Sequence, residues 1–259
     1  MGNLVMTPHN ELTLFLERLN RFGVTQADFE RVRLYSDQAK EVAEAMIRGR
    51  TTTLKRAKEI MEKGLVTPQQ VVGHLGVRYS AAQLSGFETI PLSEGKLRKS
   101  AGKYILFPGA PRSIWEIRER MPEAFEKITD PWVERQDFFR SKKVDPRWYL
   151  IRTDTIPRSR GKIYSTQVRS IGKGNVMPWA CEVVYLIVLY RMITKKHLFD
   201  DGRYVRCADV LPVTVKEVGD KRVTHACVFN KSGRISFMPF VESANLDYIG
   251  VTDSWRPKN

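Results

Sequence analysis

Residues 179–197, WACEVVYLIVLYRMITKKH, decide the fold. The β-branched residues favour a strand. A run of nearly twenty residues is long for one, Pro178 stands just before it, and Lys195, Lys196 and His197 close it. Cations at that end complement the negative end of a helix dipole, so the stretch reads as a helix. It is apolar almost all round, which places it at the centre of the molecule. A membrane span needs ~20 apolar residues. Here the apolar run from Val183 to Leu189 lies between Glu182 and Arg191.

Downstream the pattern changes to short strands: Tyr204 to Cys207, Thr214 to Val218, Arg222 to Phe229, Arg234 to Pro239 and Tyr248 to Val251. Gly219-Asp220 and Lys231-Ser232-Gly233 mark tight turns, which suggest an antiparallel sheet. Just upstream, Trp148 to Arg152 reads as an internal strand, because apolar residues occupy both faces. Lys103 to Phe107 is a further strand, closed by Pro108-Gly109.

The first hundred residues read as helices. Leu12, Leu16 and Leu19 fall near helical spacing before Gly23. Thr25 is a cap with Asp28 three residues on, and the following helix runs past a break near Ser36 to a stop at Gly49. Thr53, Thr67, Ser80, Ser93 and Ser113 are further caps, with Pro68 at a first helical position. Asp130-Pro131 opens a helix through Arg140. Residues 67–77 look like the first helix and turn of a helix-turn-helix, but Ala81 to Ser85 is too short and bland to read a groove. A plain helical hairpin is the expectation.

The fold class is therefore α+β, with a helical N-terminal half and a C-terminal half of mostly antiparallel sheet around a long buried helix. The expected organisation is a helical region, 1–100, and an α+β region, 101–259. A single compact domain is the alternative.

The chain has 259 residues, 42% of them hydrophobic and 10% aromatic, enough for a sizeable core. Its 3 cysteines, Cys181, Cys207 and Cys227, are odd in number and widely spaced, which fits a reducing compartment, expected to be the cytoplasm. The first residues lack a secretory pattern, and Met6 breaks the myristoylation pattern that Gly2 invites. The formal charge is +14. The excess rises along the chain: +2 over residues 1–75, +4 over 76–150 and +8 over 151–259.

Between Arg140 and Lys173, ten basic residues face two acidic ones, Asp145 and Asp154. Such a field attracts polyanions. Basic side chains neutralise phosphates and aromatic rings stack on unpaired bases. Trp148 and Tyr149 are assigned to the core, which leaves the cations as the candidate site. Arg158, Arg160, Lys162, Arg169 and Lys173 are expected to contact phosphate, with Arg140, Lys142 and Lys143 extending the patch. The leading expectation is a non-enzymatic or accessory protein that binds nucleic acid or another polyanion, without a cofactor or a membrane.

Two other functions compete. A metal-dependent nuclease would draw on Asp200, Asp201, Asp209, Glu217 and Asp220-Lys221, since carboxylates bind hard cations. An interaction module would set the basic face against an acidic protein. His225 and Cys227 share a strand face, but the close cysteine pairs of common zinc sites are absent. A Cys–His nucleophile pair on these residues needs an imidazole within reach of the thiolate. Gly172-Lys173-Gly174-Asn175 is a loose match to a phosphate-cradling loop and reads as a turn.

One ordered set of motifs resembles a family of uncharacterised bacterial proteins. The set is Trp148 to Arg152, Ile156-Pro157, the long apolar helix ending His197-Leu198-Phe199, and Tyr204-Val205-Arg206-Cys207. The resemblance covers roughly residues 55–210 and implies the same helical first half. It implies no activity and assigns no functional residue. The chain departs from the family in its basic loop, where Asn, Ser and Thr would be expected.

Overall fold

The computed structural model describes residues 9–21, 23–34, 51–127, 131–200, 202–211 and 223–257. The break near Ser36, the stop at Gly49 and the strand expected over Thr214 to Val218, with its turn at Gly219-Asp220, lie outside these residues. The chain forms two compact units, Met1–Thr51 and Thr52–Asn259.

In the first unit, helix α1 spans His9–Arg21 and helix α2 spans Gln26–Leu34. Gly23 lies between them at φ +82°, a conformation that favours glycine. The Asp28 carboxylate accepts both the Thr25 amide (2.8 Å) and the Thr25 hydroxyl (2.6 Å), which forms the reach-back half of a capping box. These bonds hold the Asp28 carboxyl below its ordinary range.

The second unit begins with strand β1 (Thr52–Thr53) and helices α3 (Leu54–Met61), α4 (Pro68–Leu75) and α5 (Ala81–Phe87). Strand β2 (Thr89–Ile90), helix α6 (Glu94–Ser100) and strand β3 (Tyr104–Pro108) follow. Thr53, Thr67, Ser80 and Ser93 cap α3 to α6, each side chain accepting an amide of the first turn. Thr67 and Ser80 complete capping boxes with Gln70 and Gln83. Gly76 ends α4 in the left-handed region.

Helix α7 (Ile114–Arg120) is capped by Ser113, with Glu116 completing its box. The helix expected up to Arg140 is instead two single turns, α8 (Pro131–Glu134) and α9 (Asp137–Arg140). The interruption lets Phe138 and Phe139 bury against Phe237 while Arg140 returns a hydrogen bond to the Glu134 carbonyl.

Strand β4 (Trp148–Arg152), helix α10 (Tyr164–Arg169) and helix α11 (Ala180–Thr194) follow. The chain then forms strands β5 (Tyr204–Leu211), β6 (Thr224–Lys231), β7 (Arg234–Val241), β8 (Ile249–Val251) and β9 (Ser254–Trp255). The architecture is α+β. One sheet has the order β3-β4-β9 and is antiparallel; another has the order β7-β6-β5-β8, antiparallel except where β8 runs parallel to β5. The β6–β7 hairpin closes on Ser232-Gly233, both at positive φ, as a two-residue turn of this hand requires.

Helix α11 is the long buried helix, with every residue from Ala180 to Leu189 buried. One core joins it to Ile105, Phe107, Tyr149 and Ile151 of the first sheet and to Val205, Cys207, Ala226 and Val228 of the second. The opposite face of β3–β4, with Leu106, Trp148 and Leu150, packs on Ala57, Met61, Phe87 and Leu97 of the preceding helices. Truncating a side chain such as Leu186 to alanine would cost about 2–5 kcal/mol.

The start of α11 is fixed by two buried carboxylates. Glu182 accepts the Trp179 amide at 3.0 Å and pairs with Arg256. Asp209 accepts the Ala180 amide at 2.6 Å, aimed there by an irregularity in the β5–β6 register between Arg206 and Val210. Burial raises the Glu182 carboxyl despite Arg256. All three cysteines are free and buried. No described helix is long and apolar enough to cross a membrane.

Candidate functional site

Because strand side chains alternate, the residues of β5 to β7 that do not meet α11 form the other face of the sheet. Register places Tyr204 opposite Phe229, Arg206 opposite Cys227, and Phe240 opposite His225. Four aromatic rings gather there. Tyr204 stacks on Phe229 with centroids 4.5 Å apart and meets Phe240 edge-on at 5.2 Å. Tyr248, just before β8, lies 6.0 Å from Tyr204 and 6.3 Å from Phe240. Tyr204, Phe229 and Phe240 are half-buried. Tyr248 is 44% exposed and Met238 beside them 45%.

The neighbouring part of the same face is polar and closed. Arg206 is fully buried and donates through Nη2 to the Val241 and Ala244 carbonyls. Tyr164 stacks on His225 at 3.8 Å, and His225 Nε2 lies 3.3 Å from Glu242 Oε1. Burial lowers the His225 imidazole, and Glu242 offsets this only in part. Burial pushes the Cys227 thiol up to about 12, against the pull of Arg206. The Cys227 thiol approaches the His225 carbonyl at 3.9 Å, and among the described residues no imidazole nitrogen bonds to it.

The basic loop is fixed beside the aromatic face. Gln167, buried in α10, donates to Ser159 O (3.0 Å) and Ile249 O (3.2 Å). The Tyr164 amide donates to Glu242 O, and the Val251 amide to the Ser159 hydroxyl. Gly161, at φ +61°, holds a conformation that favours glycine, and its Cα faces Asp247 Oδ1. The segment 157–169 thus lies against the 242–249 segment that carries Tyr248.

The eight cations divide into two groups. Arg158, Lys162 and Lys173 are exposed and form no ion pair among the described residues. Arg169 is exposed and donates to the Thr166 hydroxyl, while the half-buried Arg160 donates to Thr155 at 2.9 Å. Arg140, Lys142 and Lys143 belong to other surroundings. Arg140 lies 4.7 Å over the Trp115 ring. Lys142 is 3.0 Å from the buried Asp209 carboxylate and 2.8 Å from the Trp179 ring centre. Lys143 pairs with Glu116 at 2.7 Å. Among the described residues no hydrogen bond, ion pair or ring contact joins the two groups.

Of the carboxylates considered for a metal, Asp200 accepts the Ser232 amide and Asp209 is held as above. Asp201, Glu217 and Asp220 lie outside the described residues, as does Lys221. Among the described residues no three His, Cys, Asp or Glu side chains are placed to hold a metal ion. The aromatic cluster escaped the sequence reading, although Tyr204, Phe229 and Tyr248 lie in segments read as strands and Phe240 one residue beyond another, which runs on to Val241 in the structure. What was lacking was the register that brings them together. Comparison with protein-family models, curated proteins and solved structures returns no match.

Proposed function

We propose that this chain is a non-enzymatic binder of single-stranded nucleic acid. Bases stack on Tyr204, Phe229, Phe240 and Tyr248, and Arg158, Lys162, Arg169 and Lys173 contact phosphates. One observation carries the reading: a cluster of partly exposed rings on a sheet face, flanked by the exposed cations Arg158, Lys162 and Arg169, which form no ion pair among the described residues. Rings offer a stacking surface to any base, and cations follow the backbone between them. Among the described residues Asp247 and Glu242, on the segment against the loop, form no ion pair with Arg158, Lys162 or Arg169. The buried, unpaired cysteines support a reducing compartment, and the cytoplasm is the one proposed.

Binding of a labelled single-stranded oligonucleotide tests the reading. Tyr248→Ala should weaken binding by about 1–3 kcal/mol, the worth of one stacked base. A duplex of the same sequence should bind more weakly than the single strand. Failure to bind any single-stranded DNA or RNA at low salt, or equal affinity in Tyr248→Ala, would overturn it.

A further inference from the structure

A second basic site lies at the C-terminal end of α11, independent of the aromatic face. A cleft of about 420 Å³ is lined there by His74 of α4, Glu123, Arg191, Lys195 and His197, with two methionines. Three features of the backbone build it. Helix α11 ends with Lys195 in the left-handed region (φ +60°, ψ 15°), its amide bonded to Arg191 O at 2.9 Å. Glycine or asparagine is usual at such a position, and a lysine there is strained. The reversal returns His197 to the cleft that Arg191 lines. The third feature is Gly233 in the β6–β7 turn. Its carbonyl accepts Arg191 Nη1 at 2.6 Å, and its Cα faces the His197 ring so closely that a Cβ there would displace the ring. One turn therefore positions two of the basic groups.

These groups are not neutralised. Arg191, Lys195 and His197 form no ion pair among the described residues. Among the described residues Glu123 is the one acid lining the cleft, and it pairs with none of them. Arg191 and Lys195 thus outweigh it. The free carbonyls at the end of α11 hold cations nearby without cancelling them. A guanidinium, an ammonium and two imidazoles converging on a small cleft suit a compact oxyanion with several acceptor oxygens.

We propose that this cleft binds the phosphate group of a phosphate monoester. The group belongs either to a free small molecule or to the terminal phosphate of a strand. Inorganic phosphate is the first probe, titrated at constant ionic strength against chloride while thermal unfolding and the phosphorus resonance are followed. The wild type should show a saturable rise in melting temperature and line broadening. Lys195→Gly removes the charge where glycine suits the backbone, and His197→Gln removes an imidazole from the exposed rim. Each should keep the phosphate-free melting temperature within a few degrees and weaken phosphate binding about tenfold, the effect of losing one charge-assisted bond. No response beyond that to chloride, or the same response in both variants, would overturn the site. A 5′-phosphorylated oligonucleotide and its unphosphorylated twin then separate the two sources. Competition with inorganic phosphate by the phosphorylated strand alone assigns the group to a strand end, and competition by neither assigns it to a free ester.

Discussion

Two groups of cations, all within residues 140–173, look alike in the sequence and differ in the folded chain. Arg140, Lys142 and Lys143 sit against Trp115, Asp209 and Glu116. Arg158, Lys162 and Lys173 stand in solvent without a carboxylate among the described residues. The first group holds the molecule together and the second is open to a partner. A count of charge measures the two equally. The partner of each cation decides which part of the count is available to an external anion.

The largest break in this comparison should come from Lys142→Met. It strands the Asp209 carboxylate, 3% exposed, in the core. We expect a loss of about 3 kcal/mol, the low end for breaking a buried pair. That corresponds to a melting temperature lower by about 6–12 °C for a unit of this size. Nucleic-acid affinity of the folded protein should not change. A loss below about 1 kcal/mol would place Lys142 with the open cations.

The reverse experiment neutralises the open group. A triple variant, Arg158→Gln with Lys162→Gln and Lys173→Gln, should leave stability within about 0.5 kcal/mol. It should flatten the salt dependence of single-strand binding by about 2 in logarithmic slope, for three phosphate contacts. Between 50 and 200 mM salt the wild type would then lose about twentyfold more affinity than the variant. An unchanged slope would show that these side chains do not meet phosphate.

The smallest effect belongs to Lys143 and Glu116. Burial raises the Glu116 carboxyl, but the bonds from Lys143 and the Ser113 amide outweigh it and leave the group below its ordinary 4.5. A lowered folded value gives stability that is present above about pH 4.5 and lost as pH falls through the folded value. Lys143→Gln should therefore cost less than about 1 kcal/mol at pH 7, and the difference should vanish in acid. Urea unfolding at both pH values measures it. A difference that persists in acid would mean that packing, not charge, holds Lys143.

Local chemistry was legible in the sequence because the relevant partners are three or four residues away. Thr53, Thr67, Ser80, Ser93 and Ser113 cap helices as read, and α11 is the buried helix that its flanking Pro178 and terminal cations indicated. Trp148 and Tyr149 are core residues of an internal strand. The surroundings of Lys142 and Lys143 were not legible, since their partners lie 67 and 27 residues away. The aromatic face was hidden for the same reason: it needs the β5–β6–β7 register and the parallel return of β8 beside β5. The Arg191–Gly233–His197 arrangement rests on a contact between a hairpin turn and a helix end, which no local pattern encodes.

The three cysteines close with a practical consequence. None presents its sulfur to solvent in the native fold, so an alkylating reagent finds nothing to react with until part of the second unit opens. Cys181 lies on α11, and Cys207 and Cys227 on adjacent strands of its partner sheet. The order in which the three sulfurs become labelled, read by mass spectrometry over time, is a built-in record of whether helix or sheet lets go first.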